Sequence, residues 1–249
     1  MSFRYPLLEN AFSNEDISTA IKVVKSRRLT MSKKTIEFEK KFSNFINSKH
    51  CLMVNSGSSA NLLAFFTLVN PMKKNRLRTG DECLIPALCW STSLWPIIQA
   101  GLKPKFIDVD LKTFSPSFEI IKKNITKKTK AIIPVHVYGQ SANSDEINKL
   151  AKKFNLFIVE DCAEALGGTY KNKLIGRKGD ASTFSFYPNK LITTGEGGMV
   201  VFKNKKTFEK AKKLRNQGRS TTKVFWHDYA GFNLKIAAFA KKHNIKVFY

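Results

Sequence analysis

Ser144-Asp-Glu-Ile-Asn-Lys-Leu-Ala-Lys-Lys-Phe154, then one Asn, then Leu156-Phe-Ile-Val-Glu-Asp161-Cys-Ala-Glu164, reads as a helix leading directly into a strand. In the first part Ile147, Leu150, Ala151 and Phe154 recur at the three- and four-residue steps of one helical face. The second part is a short unbroken apolar run, as in a strand covered on both faces. A helix feeding a buried strand is the repeating unit of parallel sheets, because parallel neighbours need a crossover between them.

The same alternation extends in both directions. Apolar runs at 51–54, 82–86, 104–109, 131–135, 156–160, 182–186 and 198–202 predict seven strands, with helical spacing between most of them, as at 58–69 and 144–154. The expected fold is therefore α/β, a three-layer sandwich around a mostly parallel seven-stranded sheet. The last two strands stand only about a dozen residues apart, room for a loop that carries a site rather than for a crossover helix. Upstream, Ser13-Asn-Glu-Asp16 has the pattern of a capping box, and two amphipathic helices are predicted over 14–27 and 34–47.

With 249 residues, 43% of them hydrophobic, the chain has material for one large domain and is not disordered as a whole. Its formal charge of +24 raises the question of nucleic acid, but 35 of the 43 basic residues are Lys and 8 are Arg. Base readout and bidentate phosphate contacts favour the planar fork of Arg, and no recognition motif appears, so Lys-rich solvated faces are the simpler reading. The segment 203–223 fits that description, as an amphipathic helix and a loop. Cys51, Cys83, Cys89 and Cys162 form no Cys-x-x-Cys pair, which predicts neither a disulfide framework nor a zinc site. The longest apolar run, 62–69 with Thr67 inside it, is far short of the ~20 residues that span a bilayer. A soluble protein in a reducing, cytoplasmic setting is expected, with no metal, membrane or nucleic-acid partner.

Three segments carry possible chemistry. Val54-Asn-Ser-Gly-Ser-Ser-Ala-Asn61 follows the first strand and opens a helix, so Gly57, Ser58 and Ser59 put backbone N–H groups and hydroxyls at a positive helix end. That arrangement cradles a phosphate, although Gly-Ser turns before helices also serve structure alone. Asp161 ends a buried strand at the sheet edge where ligands bind, able to hold a protonated ring nitrogen; its other reading is a cap for the next segment. Phe184-Ser-Phe-Tyr-Pro-Asn-Lys190-Leu-Ile-Thr-Thr-Gly-Glu-Gly-Gly198 holds a single lysine among aromatic, hydroxyl and glycine residues. Such surroundings disfavour the ammonium and leave an amine that can form a Schiff base, while an isolated lysine elsewhere is simply solvated. Taken together, the three segments match the phosphate, ring nitrogen and aldehyde of pyridoxal 5'-phosphate, and Trp90, just after the second strand, offers a flat apolar face to the ring.

At these residues the sequence resembles the DegT/DnrJ/EryC1/StrS family of sugar aminotransferases, of aminotransferase fold type I. The matching stretches are Asn55-Ser-Gly-Ser-Ser-Ala60, Gly80-Asp-Glu-Cys-Leu-Ile-Pro86, Glu160-Asp-Cys-Ala-Glu-Ala165, Gly179-Asp180, Ser185-Phe-Tyr-Pro-Asn-Lys190 and Gly195-Glu-Gly-Gly198, within agreement from about Leu8 to Asn233. The resemblance implies that Lys190 holds the cofactor as a Schiff base and then moves the proton between substrate and cofactor carbons. It further implies that Asp161 pairs with the pyridine nitrogen, that Gly57, Ser58 and Ser185 bind the phosphate, and that Trp90 stacks on the ring. Glu164 occupies a position that in relatives often carries Gln or His near the ring hydroxyl. Asn233, in Gly231-Phe-Asn, is similar to a residue that relatives extend to the neighbouring subunit's phosphate, which implies a homodimer with shared sites. The implied reaction moves an amino group from glutamate to a keto group of a nucleotide-activated deoxysugar, for surface polysaccharide or related glycan biosynthesis.

A related branch, the sugar 3-dehydrases, is similar through Leu29-Thr-Met31 and Pro86-Ala-Leu-Cys-Trp-Ser-Thr-Ser-Leu-Trp-Pro96, but carries His where this chain has Lys190. Lys190 favours transamination, with the dehydrase, an inactive cofactor-binding relative and a basic nucleic-acid binder as successively weaker alternatives. The expected organisation is a helical segment over 1–50, a cofactor-binding large domain over 51–235 and a short tail over 236–249. Family members continue past Gly-Phe-Asn into a smaller domain, so a truncated or frameshifted chain with that C-terminal domain largely absent is expected.

Overall fold

The computed structural model describes residues 11–30, 33–70, 76–220, 222 and 224–236. Two helices come first, α1 (Asn14–Lys25) and α2 (Lys33–Ile46). They are followed by β1 (Cys51–Val54), α3 (Gly57–Val69), β2 (Glu82–Pro86), α4 (Ser91–Gln99), β3 (Lys103–Ile107), α5 (Phe118–Asn124), β4 (Thr129–Ile132), α6 (Ser144–Phe154) and β5 (Phe157–Asp161). A small hairpin of β6 (Thr169–Tyr170) and β7 (Lys173–Leu174) precedes β8 (Ala181–Ser185), β9 (Gly198–Phe202) and α7 (Lys205–Arg215). The expected tail lies outside the described residues from 237 onward, as do residues 1–10 of the N-terminal segment and Met31 of the Leu29-Thr-Met31 motif.

Seven strands form one sheet in the order β1-β9-β8-β5-β4-β2-β3. β9 runs antiparallel to both neighbours, and every other pair is parallel. Helices α3 to α6 supply the crossovers between the first five strands. The link 186–197 holds no helix, so the chain turns back and enters the sheet antiparallel. The sheet is thus mostly parallel and seven-stranded, as expected.

Alternating residues of each strand feed the two outer layers. Leu52, Val54, Val159 and Phe202 pack with α3, α4 and α7 on one face. Met53, Val201 and Phe184 meet α2, and Leu84, Ile132 and Ile158 meet α5 and α6, on the opposite face. The α2 side is built on aromatic edges, with Phe42 fully buried and its ring 5.1 Å from Phe184 and 5.9 Å from Phe186. Phe42→Ala is expected to cost about 3–5 kcal/mol of stability, because the rigid sheet behind it cannot collapse into the hole. Chemical denaturation measures this, and a loss below about 1 kcal/mol would show a site able to repack.

Element ends differ from the sequence expectations for local reasons. α1 and α2 stop before 27 and 47 because Arg27 and Asn47 take left-handed backbone, φ 56° and 50°. β3 ends at Ile107, beyond which the Asp108 carboxylate accepts the Val109 N–H at 2.8 Å instead of a strand partner. β4 ends before Pro134, which has no N–H to give a ladder. The β6–β7 hairpin was not anticipated, since its strands are two residues long and carry no apolar run. Its Lys171-Asn172 turn has φ 50° and 59°, the left-handed pair of a tight hairpin.

Candidate active site

Glu160 and Asp161 end β5 side by side in sequence and face opposite sides of the sheet. Glu160, on the side away from α3, is buried and accepts hydrogen bonds from the N–H groups of Lys178 and Gly179 at 2.9 and 2.7 Å and from Ser182 Oγ at 3.1 Å. His136 Nδ1 accepts the Ala142 N–H at 3.0 Å, so Nε2 carries the proton and donates it to Glu160 at 3.3 Å. Burial pushes this carboxyl's pKa up, but the donors from His136, Gly179 and Lys178 outweigh it and hold the group below its ordinary value of 4.5. A folded-state pKa below the unfolded one contributes stability that is present above the ordinary value and is lost as the pH falls through the folded one. Glu160→Gln is therefore expected to flatten the loss of thermal stability between roughly pH 5 and 3. Parallel melting curves for the two proteins over that range would contradict this. Glu160 ties the 176–179 loop and β8 to the end of β5; it is part of the scaffold.

Asp161 is 4% exposed and turned toward α3 and α4. Its Oδ2 accepts from Asn61 Nδ2 at 3.0 Å and from Ser93 Oγ at 2.7 Å, and its Oδ1 accepts the Ala163 N–H at 3.1 Å. It lies near Cys89, whose thiol is pushed up first by burial and then by the Asp161 charge. The Ala163 bond is a turn within the following segment, which matches the capping reading, and it leaves the carboxylate free to serve a ligand as well.

Lys190 stands in the β8–β9 loop, whose stem is closed by Phe186 N–H to Gly197 O at 2.9 Å and Thr194 N–H to Phe186 O at 3.1 Å. Its own N–H returns to Tyr187 O at 3.0 Å, across a turn containing Pro188. A cleft of about 310 Å³ is lined by Lys190, Ser185, Glu164, Ala163 and Tyr138, among others. Lys190 Nζ lies 4.0 Å from Glu164 Oε1, with the lysine side chain 22% exposed. Glu164 Oε2 in turn accepts the Tyr138 N–H at 3.1 Å, and Tyr138 holds left-handed backbone at φ 55°.

At the start of α3 the cap is Ser56, whose Oγ accepts the Ser59 N–H at 3.0 Å and donates to Ser59 Oγ at 3.0 Å. The Ser59 N–H therefore serves the cap, while its hydroxyl, which accepts from Ser56, keeps its own proton to donate. Gly57 and Ser58 lie in the first turn, where backbone N–H groups lack helical acceptors. A Cβ on Gly57 would fall 2.7 Å from Ser185 Cβ, so only glycine lets β8 and the helix start approach this closely. Gly198 closes the same corner, where a Cβ would overlap the Ser56 carbonyl.

Ser185, Glu164 and Lys190 therefore share one cleft, Gly57 abuts Ser185, and Asp161 connects to the cleft through Ala163. Trp90, at the N-terminus of α4, is 71% exposed. Asn233 is exposed and bridges to Asn216 at the end of α7, and it is not among the residues that line the cleft. Sequence reading passed over Asn61, Ser93, Thr183 and Tyr138. The one available sign was Asn61 itself, an amide opening the apolar run of α3 and buried there. The donor set fits pyridoxal 5'-phosphate: a helix start and Ser185 for the phosphate, an all-acceptor carboxylate for a protonated ring nitrogen, and an amine for the aldehyde carbon. Among the described residues no cluster of His, Cys, Asp and Glu fits a metal ion, and no helix is long and apolar enough to cross a membrane.

Comparison with known proteins gives the same direction. The profile of the DegT/DnrJ/EryC1/StrS aminotransferase family matches residues 10–241. GDP-perosamine synthase of Escherichia coli O157:H7 is 40% identical over 200 residues, 80% of this chain and 53% of that protein. The E. coli GDP-4-keto-6-deoxy-D-mannose-3-dehydratase, solved with bound hydrated PLP, superposes with a TM-score of 0.90 at 32% identity, covering 95% of this chain and 65% of that one. Helicobacter pylori PseC, an aminotransferase of pseudaminic acid biosynthesis, superposes with a TM-score of 0.86 at 28% identity, covering 95% and 62%. The chain spans about half the length of the curated relatives it matches.

Proposed function

The chain belongs to the DegT/DnrJ/EryC1/StrS family of pyridoxal-phosphate-dependent aminotransferases, and from that premise we propose that it moves an amino group from glutamate to a keto group of a nucleotide-activated deoxysugar. The observation that carries this reading is the Lys190 amine in the cleft, 4.0 Å from Glu164 and sharing the cavity with Ser185. Pyridoxal phosphate supplies a carbon that takes and returns nitrogen and a ring that draws off the electrons left by a departing proton.

The protein's own residues do the rest. Gly57 and Ser58 offer backbone N–H groups at a positive helix end, and Ser185 adds a hydroxyl, to bind the phosphate. Asp161 would hold a proton at the ring nitrogen. Lys190 Nζ would hold the cofactor covalently and would be the group that takes and returns a proton at the substrate carbon. Glu164 stands where it can hold the ring hydroxyl or orient Lys190, and Trp90 offers an exposed face for the ring. GDP-perosamine synthases at 38–40% identity support a nucleotide-sugar substrate, and a lipopolysaccharide biosynthesis protein of Salmonella typhimurium at 42% identity supports a place in surface polysaccharide biosynthesis.

A cytoplasmic homodimer with shared sites is part of the same reading. Its support is the exposed apolar surface beside the cleft, Leu191 at 77%, Tyr138 at 67% and Tyr187 at 50%, which a second copy would cover. Sedimentation at micromolar concentration tests it, and a monomer would overturn that part.

The full chain incubated with pyridoxal phosphate should acquire a visible band, and borohydride should fix the cofactor's mass on the peptide containing Lys190. With glutamate and a panel of nucleotide 4-keto sugars it should release 2-oxoglutarate and an amino sugar. A second reading, nucleotide-sugar 3-dehydration, is favoured by the superposition on the dehydratase at a TM-score of 0.90. Loss of a sugar hydroxyl without gain of nitrogen would select it.

A further inference from the structure

We propose that Asn61, Ser93 and Thr183 form a positioning set that turns Asp161 Oδ1 toward the cofactor's ring nitrogen; the inference rests on the cofactor reading given above. The three residues come from α3, α4 and β8, and all are buried, with Asn61 at 2%, Ser93 at 0% and Thr183 at 1% exposure. Nothing in their separate sequence neighbourhoods marks them as a group, since Asn61 and Thr183 are 122 positions apart.

The amide of Asn61 has one admissible orientation. Thr183 Oγ1 lies 2.7 Å from Asn61 Oδ1 and 3.3 Å from the Glu160 carbonyl, its two acceptors, and the amide is assigned from its other end, which faces acceptors only. The two hydrogens on Nδ2 then go to Asp161 Oδ2 at 3.0 Å and to the Thr92 carbonyl at 3.2 Å. Flipping the amide would set its oxygen against a carboxylate and a carbonyl, two acceptors that offer it no proton. Each polar atom of the Asn61 side chain is matched as it stands, so the group is locked.

That lock defines the carboxylate. Asp161 Oδ2 receives both Asn61 and Ser93, the second at 2.7 Å, and its two in-plane lone pairs are thereby used. Oδ1 receives only the Ala163 N–H at 3.1 Å, which leaves one lone pair for a further donor. A protonated pyridine nitrogen is a donor of that kind. The set therefore does more than fill a buried site: it distinguishes the two oxygens and fixes the plane in which the second one presents itself. These are positioning residues, because they reach the cofactor only through Asp161.

The test uses the full chain loaded with pyridoxal phosphate and the variants Thr183→Val, Ser93→Ala and Asn61→Leu. Thr183→Val is the gentlest, since it keeps shape and removes only the hydroxyl that reaches Asn61 Oδ1 and the Glu160 carbonyl. Three readouts are followed: the dissociation constant for pyridoxal phosphate, the visible circular dichroism of the bound cofactor, and kcat against KM for glutamate. Loss of one hydrogen bond to a charged group predicts a fall in kcat of roughly 10- to 100-fold for Ser93→Ala and Asn61→Leu. KM for glutamate should stay within about threefold, and Thr183→Val should shift the dichroism in the same direction with a smaller fall in kcat. A role in folding alone would lower melting temperatures and leave the dichroism and kcat of the folded, loaded fraction unchanged, and that result in Thr183→Val and Ser93→Ala would overturn the proposal. If the unmodified chain takes up no pyridoxal phosphate, the cofactor reading fails and this inference falls with it; if it loads normally and only the variants show no change, the inference alone fails.

Discussion

Lys190→Ala is expected to abolish the visible band formed with pyridoxal phosphate and to lower glutamate-dependent turnover on the order of 10⁴-fold, the upper range for loss of a positioned proton-transfer group. Two functions would be lost together, because in the proposed reading one amine provides both covalent attachment and proton transfer. The fold should survive. Lys190 lies in a loop whose stem is closed by backbone bonds at Phe186, Thr194 and Gly197, none of which uses its side chain. Its nearest charged neighbour, Glu164, keeps the Tyr138 N–H as a partner in the variant. An unchanged melting temperature with an absent band is therefore the signature, measured by absorbance and thermal unfolding on the same preparation. Retention of the wild-type spectrum would remove Lys190 from the chemistry and with it the case for transamination.

Asp161→Ala is the second large effect, and it strikes both chemistry and stability. Turnover is expected to fall by roughly 10²–10³-fold, the usual cost of deleting a preorganised electrostatic partner. In addition, Asn61 Nδ2, Ser93 Oγ and the Ala163 N–H lose their acceptor in a buried place. Each orphaned group costs about 1–3 kcal/mol. Asp161→Asn separates the two effects, because the amide keeps the shape and an oxygen to receive part of the donor set while losing the charge. A folded Asp161→Asn protein with turnover near that of the unmodified chain would show that this carboxylate serves the scaffold only.

Much of the architecture was legible because it depends on periodicity. The strands at Cys51–Val54, Glu82–Pro86 and Gly198–Phe202 coincide with their apolar runs, and α6 coincides with the amphipathic run Ser144–Phe154. The capping box of α1 was also legible, since both of its bonds lie within four residues: Ser13 N–H to Asp16 at 2.8 Å and Asp16 N–H to Ser13 at 3.2 Å. The misread ends at 107 and 132 were settled by a side-chain cap and by the lack of an N–H at Pro134, which act on single positions beneath the resolution of a hydrophobic pattern. The hairpin of β6 and β7 was invisible for a related reason, having two-residue strands with no buried face to mark them.

The candidate site divides in the same way. Gly57, Asp161 and Lys190 were nameable one segment at a time, because a helix start, a strand end and a single lysine among aromatic, hydroxyl and glycine residues are local features, whereas Ser185 came with the family resemblance. What only the tertiary structure decided is how those segments meet. Adjacent carboxylates at 160 and 161 received opposite duties because a strand sends successive side chains to opposite faces, one toward His136 and one toward Asn61 and Ser93. Ser59 was drawn into the cap by Ser56, and Asn61 was locked by Thr183 from a strand far along the chain. Sequence periodicity sets which faces must be buried, through the hydrophobic effect, and so determines layers and strand number. Hydrogen-bond partners across those layers are chosen by distances of about 3 Å between residues remote in the chain, and that choice exists only once the layers have packed.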